Sequence, residues 1–273
     1  MDEKGLNIDL WLVRVTEKSV SQASRKLYLL SDSEKGKWLR FLQVPDRSRY
    51  MVSHVLLHKA LSLTSKVGIN PSYWHFSGDS KKKPRLSTTT ALPYLHFNLS
   101  HAGKLAGVVI SSCCPVGVDI EPINQFNNSN YNDVILAKGE RKWLDSRSSA
   151  TKDIDFLRLW TAKEAYVKLL GKGHTIDFST FEVKLDPARV VRTETGEPYP
   201  NYVYLDSYEV KLIDATYQLS LAAWRLQNKA VSLVTHILDE NFLERNGYLS
   251  VVHDSGKKLL VIECSQHRRD EKL

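Results

Sequence analysis

Apolar and polar positions alternate loosely, with several β-branched residues, over residues 6–15, which predicts a first strand; the spacing turns helical over 19–30. Ser31-Asp32-Ser33-Glu34 supplies capping residues ahead of a second amphipathic segment carrying Lys37, Trp38, Arg40 and Phe41. Over 46–63, Val52, Val55, Leu56, Ala60 and Leu63 recur at helical intervals, with Arg47, Arg49, His54 and His58 on the opposite face. The lysine- and proline-rich residues 77–85 read as a loop, and 94–99 and 105–111 read as strands.

The second half repeats the order of helices followed by strands. A short strand around Gly117 leads into an asparagine-rich connection over 122–133 and a helix over 133–144 that bears Glu140. Asp153 or Asp155 can cap the helix running through 160–170, and Gly171 stops it. Phe156, Leu159, Trp160 and Tyr166 form its core stripe, with Trp160 as a packing anchor. Strands are expected over 178–185, 202–212, 217–224 and 231–238, and a hairpin joins 248–253 to 258–263 around Asp254-Ser255-Gly256. Little sequence identity accompanies the repeated order, which suggests a duplicated α+β unit.

Composition narrows the functional classes. The 273 residues suffice for one large domain or two ordinary ones, and 42% hydrophobic with 25% charged residues is a soluble globular balance. Neither a leader pattern nor a run of about 18 apolar residues is present, so the protein is expected in the cytoplasm, off the membrane. Three cysteines, two of them the adjacent Cys113 and Cys114, give no disulfide framework and no zinc spacing. A net charge of +7 favours an acidic partner: nucleic acid, a phosphorylated cofactor or an acidic protein.

Chemistry concentrates in three segments: Phe97-Asn98-Leu99-Ser100-His101, Gly117-Val118-Asp119-Ile120-Glu121, and Trp160-Thr161-Ala162-Lys163-Glu164-Ala165-Tyr166-Val167-Lys168. The strand period puts the carboxylates of Asp119 and Glu121 on one face and Val118 and Ile120 on the other, and two like charges side by side call for a cation. Glu164 and Lys168 share a helix face, whereas Lys163 points about 100° away. Taken singly, an Asp-x-Glu pair is usually a solvated face, a Glu/Lys pair four apart a surface contact, and His101 an ordinary histidine.

Taken together, the three segments resemble the signature motifs of the 4′-phosphopantetheinyl transferases of the surfactin-synthetase type. The resemblance spans residues 30 to 225. It implies an α+β pseudo-dimer of two similar halves with the active site in the cleft between them. Residues 1–116 would form the half facing the coenzyme's adenine and 3′-phosphate, 117–227 the half carrying the metal site and facing the carrier, and 228–273 a C-terminal extension with no functional reading. The implied reaction is magnesium-assisted transfer of 4′-phosphopantetheine from coenzyme A to a serine of an apo acyl or peptidyl carrier protein, releasing 3′,5′-adenosine diphosphate. Manganese is the alternative metal.

By matching motifs, Asp119, Glu121 and Glu164 are the expected metal ligands, oxygen donors that suit magnesium and disfavour zinc; Ile120 offers no fourth. Glu164 and Glu140 are the two candidates for the base, and Lys168 assists at the pyrophosphate. Lys37, Arg49, Lys83, Ser100, His101, Asp119, Lys163 and Lys168 are the expected coenzyme contacts. Where a further basic residue of the phosphate site would fall, this chain has Glu34. Tyr131 and Trp143 are candidate apolar contacts for an acidic carrier. A single chain with both halves is expected to act as a monomer. Two rival readings are a catalytically silent relative, against which the intact carboxylates argue, and a basic nucleotide- or RNA-binding module. The second would need stacking aromatics among Arg and Lys or a glycine-rich phosphate loop, and the chain has neither.

Overall fold

The computed structural model describes residues 6–77, 83–87, 92–123, 135–172, 176–192, 203–225, 230–238, 249–252 and 259–261. Tyr131 lies outside them. The first half runs β1 (Leu6–Arg14), α1 (Glu17–Ser24), α2 (Asp32–Arg40), α3 (Val44–Ser65), short strands β2 (Phe76–Ser77) and β3 (Arg85–Leu86), then β4 (His96–Ala102) and β5 (Leu105–Ser111). The second runs β6 (Val116–Pro122), α4 (Lys138–Asp145), α5 (Ser149–Leu170), the pair β7 (Phe181–Leu185) and β8 (Ala188–Arg192), then β9 (Val203–Lys211) and β10 (Thr216–Trp224). Strands β11 (Val231–Leu238), β12 (Leu249–Val252) and β13 (Leu259–Val261) follow.

The duplication is visible in the connectivity. One sheet has the order β12-β11-β1-β5-β4 and the other β13-β9-β10-β6, so β1-β5-β4 and β6-β10-β9 are the same antiparallel unit, each with a helix of 22 residues between its first strand and the other two. The layers are helices, sheet, sheet, helices. Alternation along β1 shows why: Ile8, Leu10 and Leu12 face the second sheet across a central core, while Trp11 and Val13 face α3. Both sides of β1 are covered from Leu10 to Val13, where the strand reads as a continuous apolar run, whereas Asn7 and Asp9 keep the alternation before it. On the far side, α5 buries Phe156, Leu159, Ala162, Ala165 and Tyr166 against the second sheet and β7.

The segment after residue 227 is no appendage. β11 pairs parallel to β1, with Leu6 opposite Val231, and His236 on β11 reaches back to Asp9 at 2.7 Å. The expected hairpin does not form: β12 pairs antiparallel with β11 in the first sheet, and β13 parallel with β9 in the second. Each sheet gains an outer strand, which covers apolar edges that would otherwise be open.

Candidate active site at the seam of the two sheets

The two sheets meet edge to edge along β4 and β6, and polar side chains of β4 replace strand pairing. The Asn98 side-chain carbonyl accepts from Val118 N at 2.9 Å, and Ser100 Oγ accepts from Ile120 N at 3.3 Å. Two backbone donors on a buried edge are thereby satisfied. Gly117 lets β6 approach α5: a methyl group there would run into the Ala165 carbonyl and stand 2.5 Å from Leu169 N. Gly171, with φ of 66°, ends α5 in the left-handed cap.

This close approach brings Lys168 onto Asp119. Lys168 Nζ donates to Asp119 Oδ1 at 2.5 Å and to Ser100 Oγ at 3.2 Å, and Ser100 donates to the same carboxylate oxygen at 3.1 Å. Asp119 is buried, and its second oxygen, Oδ2, is buried without a hydrogen-bond partner. Next to it, burial and the charge of Asp119 push the Glu121 carboxyl up to about 7; a hydrogen bond from the Trp160 side chain and the charge of Lys168 work against this, and Glu164 adds to it. Asp119, Glu121, Glu164 and Lys168 are therefore gathered in one place. Trp160 is more than the packing anchor read from its stripe: it stacks on Phe178 at 5.6 Å and also donates to Glu121.

Two expected site residues are placed elsewhere. Glu140 and Lys163 are buried, 2.5 Å apart, on the core side of α5. Glu140 also accepts from Ala137 N and Val183 N, each at 2.7 Å, and Lys163 donates to the Phe181 carbonyl at 2.8 Å. Burial pushes the carboxyl up and the ammonium down, and the mutual charge and hydrogen bonds oppose both shifts. Both oxygens of Glu140 and two donors of Lys163 are thus engaged within the protein. The expected base Glu140 and the expected phosphate contact Lys163 are placed together, where the pair ties α4 and β7 to α5.

The upstream basic residues form two adjoining regions. Lys83 reaches across the seam to the Val116 carbonyl at 2.5 Å, with its ammonium brought down to about 8 by burial and by Arg85. It borders a cavity of about 270 Å3 lined also by Arg85, His96, Phe97, Gly171 and Trp224, with no acidic side chain among the described residues of the lining. At the other region, burial and neighbouring His54, Arg49 and Lys168 bring His101 down to about 4, and its Nδ1 is buried without a partner. Arg49 pairs with Asp46 and reaches the Gly103 carbonyl at 3.4 Å, and the charge of Lys37 is felt at His54. Glu34 does not open onto this surface; it completes the α2 capping box with Ser31 and bonds His54 and His58. Ser100, expected as a coenzyme contact, is engaged with Asp119 and β6. Trp143 is half-buried, with Arg147 over its ring at 5.2 Å.

A larger cavity of about 1020 Å3 lies between the start of α5 and β9. Its polar walls are mutually satisfied: Asp155 is held by Arg147 and Arg158, and Asp206 by the Tyr204 and Tyr208 hydroxyls. The seam, by contrast, keeps an unpaired buried carboxylate oxygen and clustered like charges, the marks of a functional site.

Two family models divide the chain between them. Residues 17–114 match the N-terminal region of 4′-phosphopantetheinyl transferases, and residues 115–222, holding the Asp119 cluster, match the 4′-phosphopantetheinyl transferase superfamily. The chain belongs to this superfamily, in its Sfp type. The 4′-phosphopantetheinyl transferase Sfp of Bacillus subtilis is 28% identical over 75% of this chain and 87% of its own length. The transferase gsp of Aneurinibacillus migulanus is 25% identical over 80% of this chain and 90% of its own. The human L-aminoadipate-semialdehyde dehydrogenase-phosphopantetheinyl transferase is 23% identical over 67% and 60%. Among solved structures, the holo-[acyl-carrier-protein] synthase of Thermotoga maritima is 16% identical, with a TM-score of 0.30, covering 54% of this chain and 98% of its own.

For a transferase of this family, the donor set can be tested against a divalent cation. Among the described residues no three His, Cys, Asp or Glu side chains stand ready as a metal cage, and Lys168 holds one oxygen of Asp119. The unpartnered Oδ2 of Asp119 and the Glu121 carboxyl pushed up beside it are nevertheless oxygen donors whose charges repel each other. Such a set fits a hard cation. No helix among the described residues is long and apolar enough to cross a membrane.

Proposed function

We propose that this chain transfers the 4′-phosphopantetheine group of coenzyme A to a serine hydroxyl of an apo acyl or peptidyl carrier protein, with magnesium held by Asp119, Glu121 and Glu164. The observation that carries the reading is Asp119 Oδ2, a buried and unpaired carboxylate oxygen beside Glu121 at the seam. Magnesium, or manganese in its place, supplies charge neutralisation at the pyrophosphate when bound. The serine oxygen forms a bond to the phosphorus that carries the pantetheine arm, and the bond from that phosphorus to the leaving 3′,5′-adenosine diphosphate breaks. The serine proton passes to Glu164. Glu140 is the less suitable base, because its carboxylate oxygens already accept from three donors.

Lys168, already oriented by Asp119 and Ser100, neutralises a pyrophosphate oxygen. Lys83 and the basic cavity beside it receive the adenosine end, while Lys37, Arg49 and His101 take phosphate. The carrier is acidic and drawn by the net charge of +7, and the transferase works as a monomer in the cytoplasm. The test is intact-mass analysis of several apo carriers incubated with the protein, magnesium and coenzyme A. One added phosphopantetheine group is expected. Unmodified carriers together with absent coenzyme binding would overturn the reading.

A further inference from the structure

We propose that His54, held by Glu34, is an additional ligand for a phosphate monoester at the corner formed by Lys37, Arg49 and His101, and that it becomes cationic as that phosphate binds. The inference rests on the coenzyme reading above and names a residue and a charge change within it.

The geometry is that of a carboxylate orienting a histidine. His54 Nδ1 lies 2.7 Å from Glu34 Oε1, and the ring stacks on Tyr50 at 3.9 Å, so both its orientation and its tautomer are set from behind. The His54 side chain keeps 13% exposure, whereas that of His58, the other histidine on Glu34, keeps none. His58 faces oxygens on both sides, the Pro71 carbonyl at 2.9 Å and Glu34 at 3.3 Å. Glu34 also accepts from Ser31 N and Ser31 Oγ at 2.9 and 2.7 Å. Its one negative charge is thus shared among several donors and does not hold a second proton on His54 unaided.

The groups facing His54 are Glu34 and Lys37 from α2, Tyr50 and His58 from α3, and His101 from β4. Arg49 and Lys168 lie beyond, within electrostatic reach of His101. Burial, His58 and Lys37 lower the affinity of His54 for a proton against the pull of Glu34. A phosphate monoester brings a charge of about −1.5 to −2 at neutral pH. Set against this corner it reverses the balance: the ring takes a proton from solvent, Nδ1–H donates to Glu34, and Nε2–H donates to phosphate. A carboxylate buried behind the ring, which alone would repel an anion, becomes the group that secures the ligand's donor.

The experiment is titration calorimetry at pH 7 in PIPES and in Tris, whose ionisation enthalpies differ, with coenzyme A and with 3′-dephospho-coenzyme A. Net proton uptake is expected with coenzyme A and less with the dephospho compound. By linkage, coenzyme A affinity should rise about threefold or more between pH 8 and pH 7. His54→Gln should weaken coenzyme A about tenfold and abolish the extra uptake while leaving the dephospho compound unchanged, as expected for loss of one charge-assisted hydrogen bond. Glu34→Gln, which preserves the capping box, should reduce the uptake. His54→Gln that binds coenzyme A as the native protein does, with the same proton uptake, overturns the proposal. An equal loss for both ligands overturns it as well. Failure of the native protein to bind either compound would instead count against the coenzyme reading itself.

Discussion

Glu140→Gln separates a scaffold from a base. The native carboxylate accepts from Lys163 Nζ, Ala137 N and Val183 N, at 2.5, 2.7 and 2.7 Å. Glutamine keeps the shape, but its NH2 must face one of those donors, and Lys163 loses its one ionic hydrogen-bond partner in a buried place beside the Phe181 carbonyl and the Phe181 ring, 4.5 Å away. Removing one partner of a buried pair costs about 3–5 kcal/mol. In a protein of this size that corresponds to a fall in Tm of roughly 6–20 °C. Urea unfolding should show a lower midpoint with an unchanged slope. The double change Glu140→Leu with Lys163→Met should recover much of the loss, because both charges go together. Turnover per folded molecule, measured below the transition, should stay within about threefold of native for Glu140→Gln. A variant with native Tm whose kcat falls by about 10²–10⁴ would refute this reasoning and return Glu140 to the chemistry.

Gly117→Ala should destabilise the protein and disturb Lys168 together, since its methyl group collides with α5 backbone; urea unfolding and magnesium dependence on one sample check both. Glu121, pushed up to about 7 from an ordinary 4.5, favours its protonated form in the folded state. Metal-free protein should therefore lose stability as pH rises from about 4.5 to 7 and change little above that, a trend that thermal melts in EDTA detect and saturating magnesium suppresses. Trp160→Phe removes a donor that favours the charged carboxylate, so the pH at which magnesium binding reaches half its plateau should move upward. The KM for carrier should rise with salt more than the KM for coenzyme A, because contacts across an open interface are screened over about 8–10 Å.

How much of the fold was legible depended on how local its causes are. The strand over 105–111 is recovered without error, because β5 is bounded by a tight turn and every residue in it is buried. The second helix was read from capping residues ahead of it, and Ser31 and Glu34 form a capping box. That same box explains a misreading: the chain is already extended at Leu30 and Ser31, so the helix expected over 19–30 ends at Ser24 and gives way to a short 3-10 turn. Asp153 or Asp155 was read as a cap, but both lie inside α5, which begins at Ser149, and Asp155 is buried between Arg147 and Arg158. The strands after residue 230 carried ordinary β patterns. The partners of β11 and β13 lie far back in the chain, on β1 and β9, β12 pairs with β11, and a local turn signal favoured a hairpin instead.

The site divides along the same line. Asp119 and Glu121 could be put on one face by the period of a strand, and Glu164 with Lys168 on one face by the period of a helix, because each statement concerns a single element. The same arithmetic turned Lys163 away from Glu164, yet inside a charged motif it still read as a ligand. What decides its role is the carboxylate waiting on that side, 23 residues back on α4, and the β7 backbone beyond it. His54 is the converse case, read as one polar position among several on a helix face. Its meaning depends on Glu34, on a different helix, which closes its Nδ1 side and leaves a partly exposed ring beside His101. Periodicity states which way a side chain points. Whether a charge pointing that way is scaffold or chemistry is set by whether buried partners of the protein engage it, as for Lys163, or leave a buried oxygen unused, as for Asp119 Oδ2.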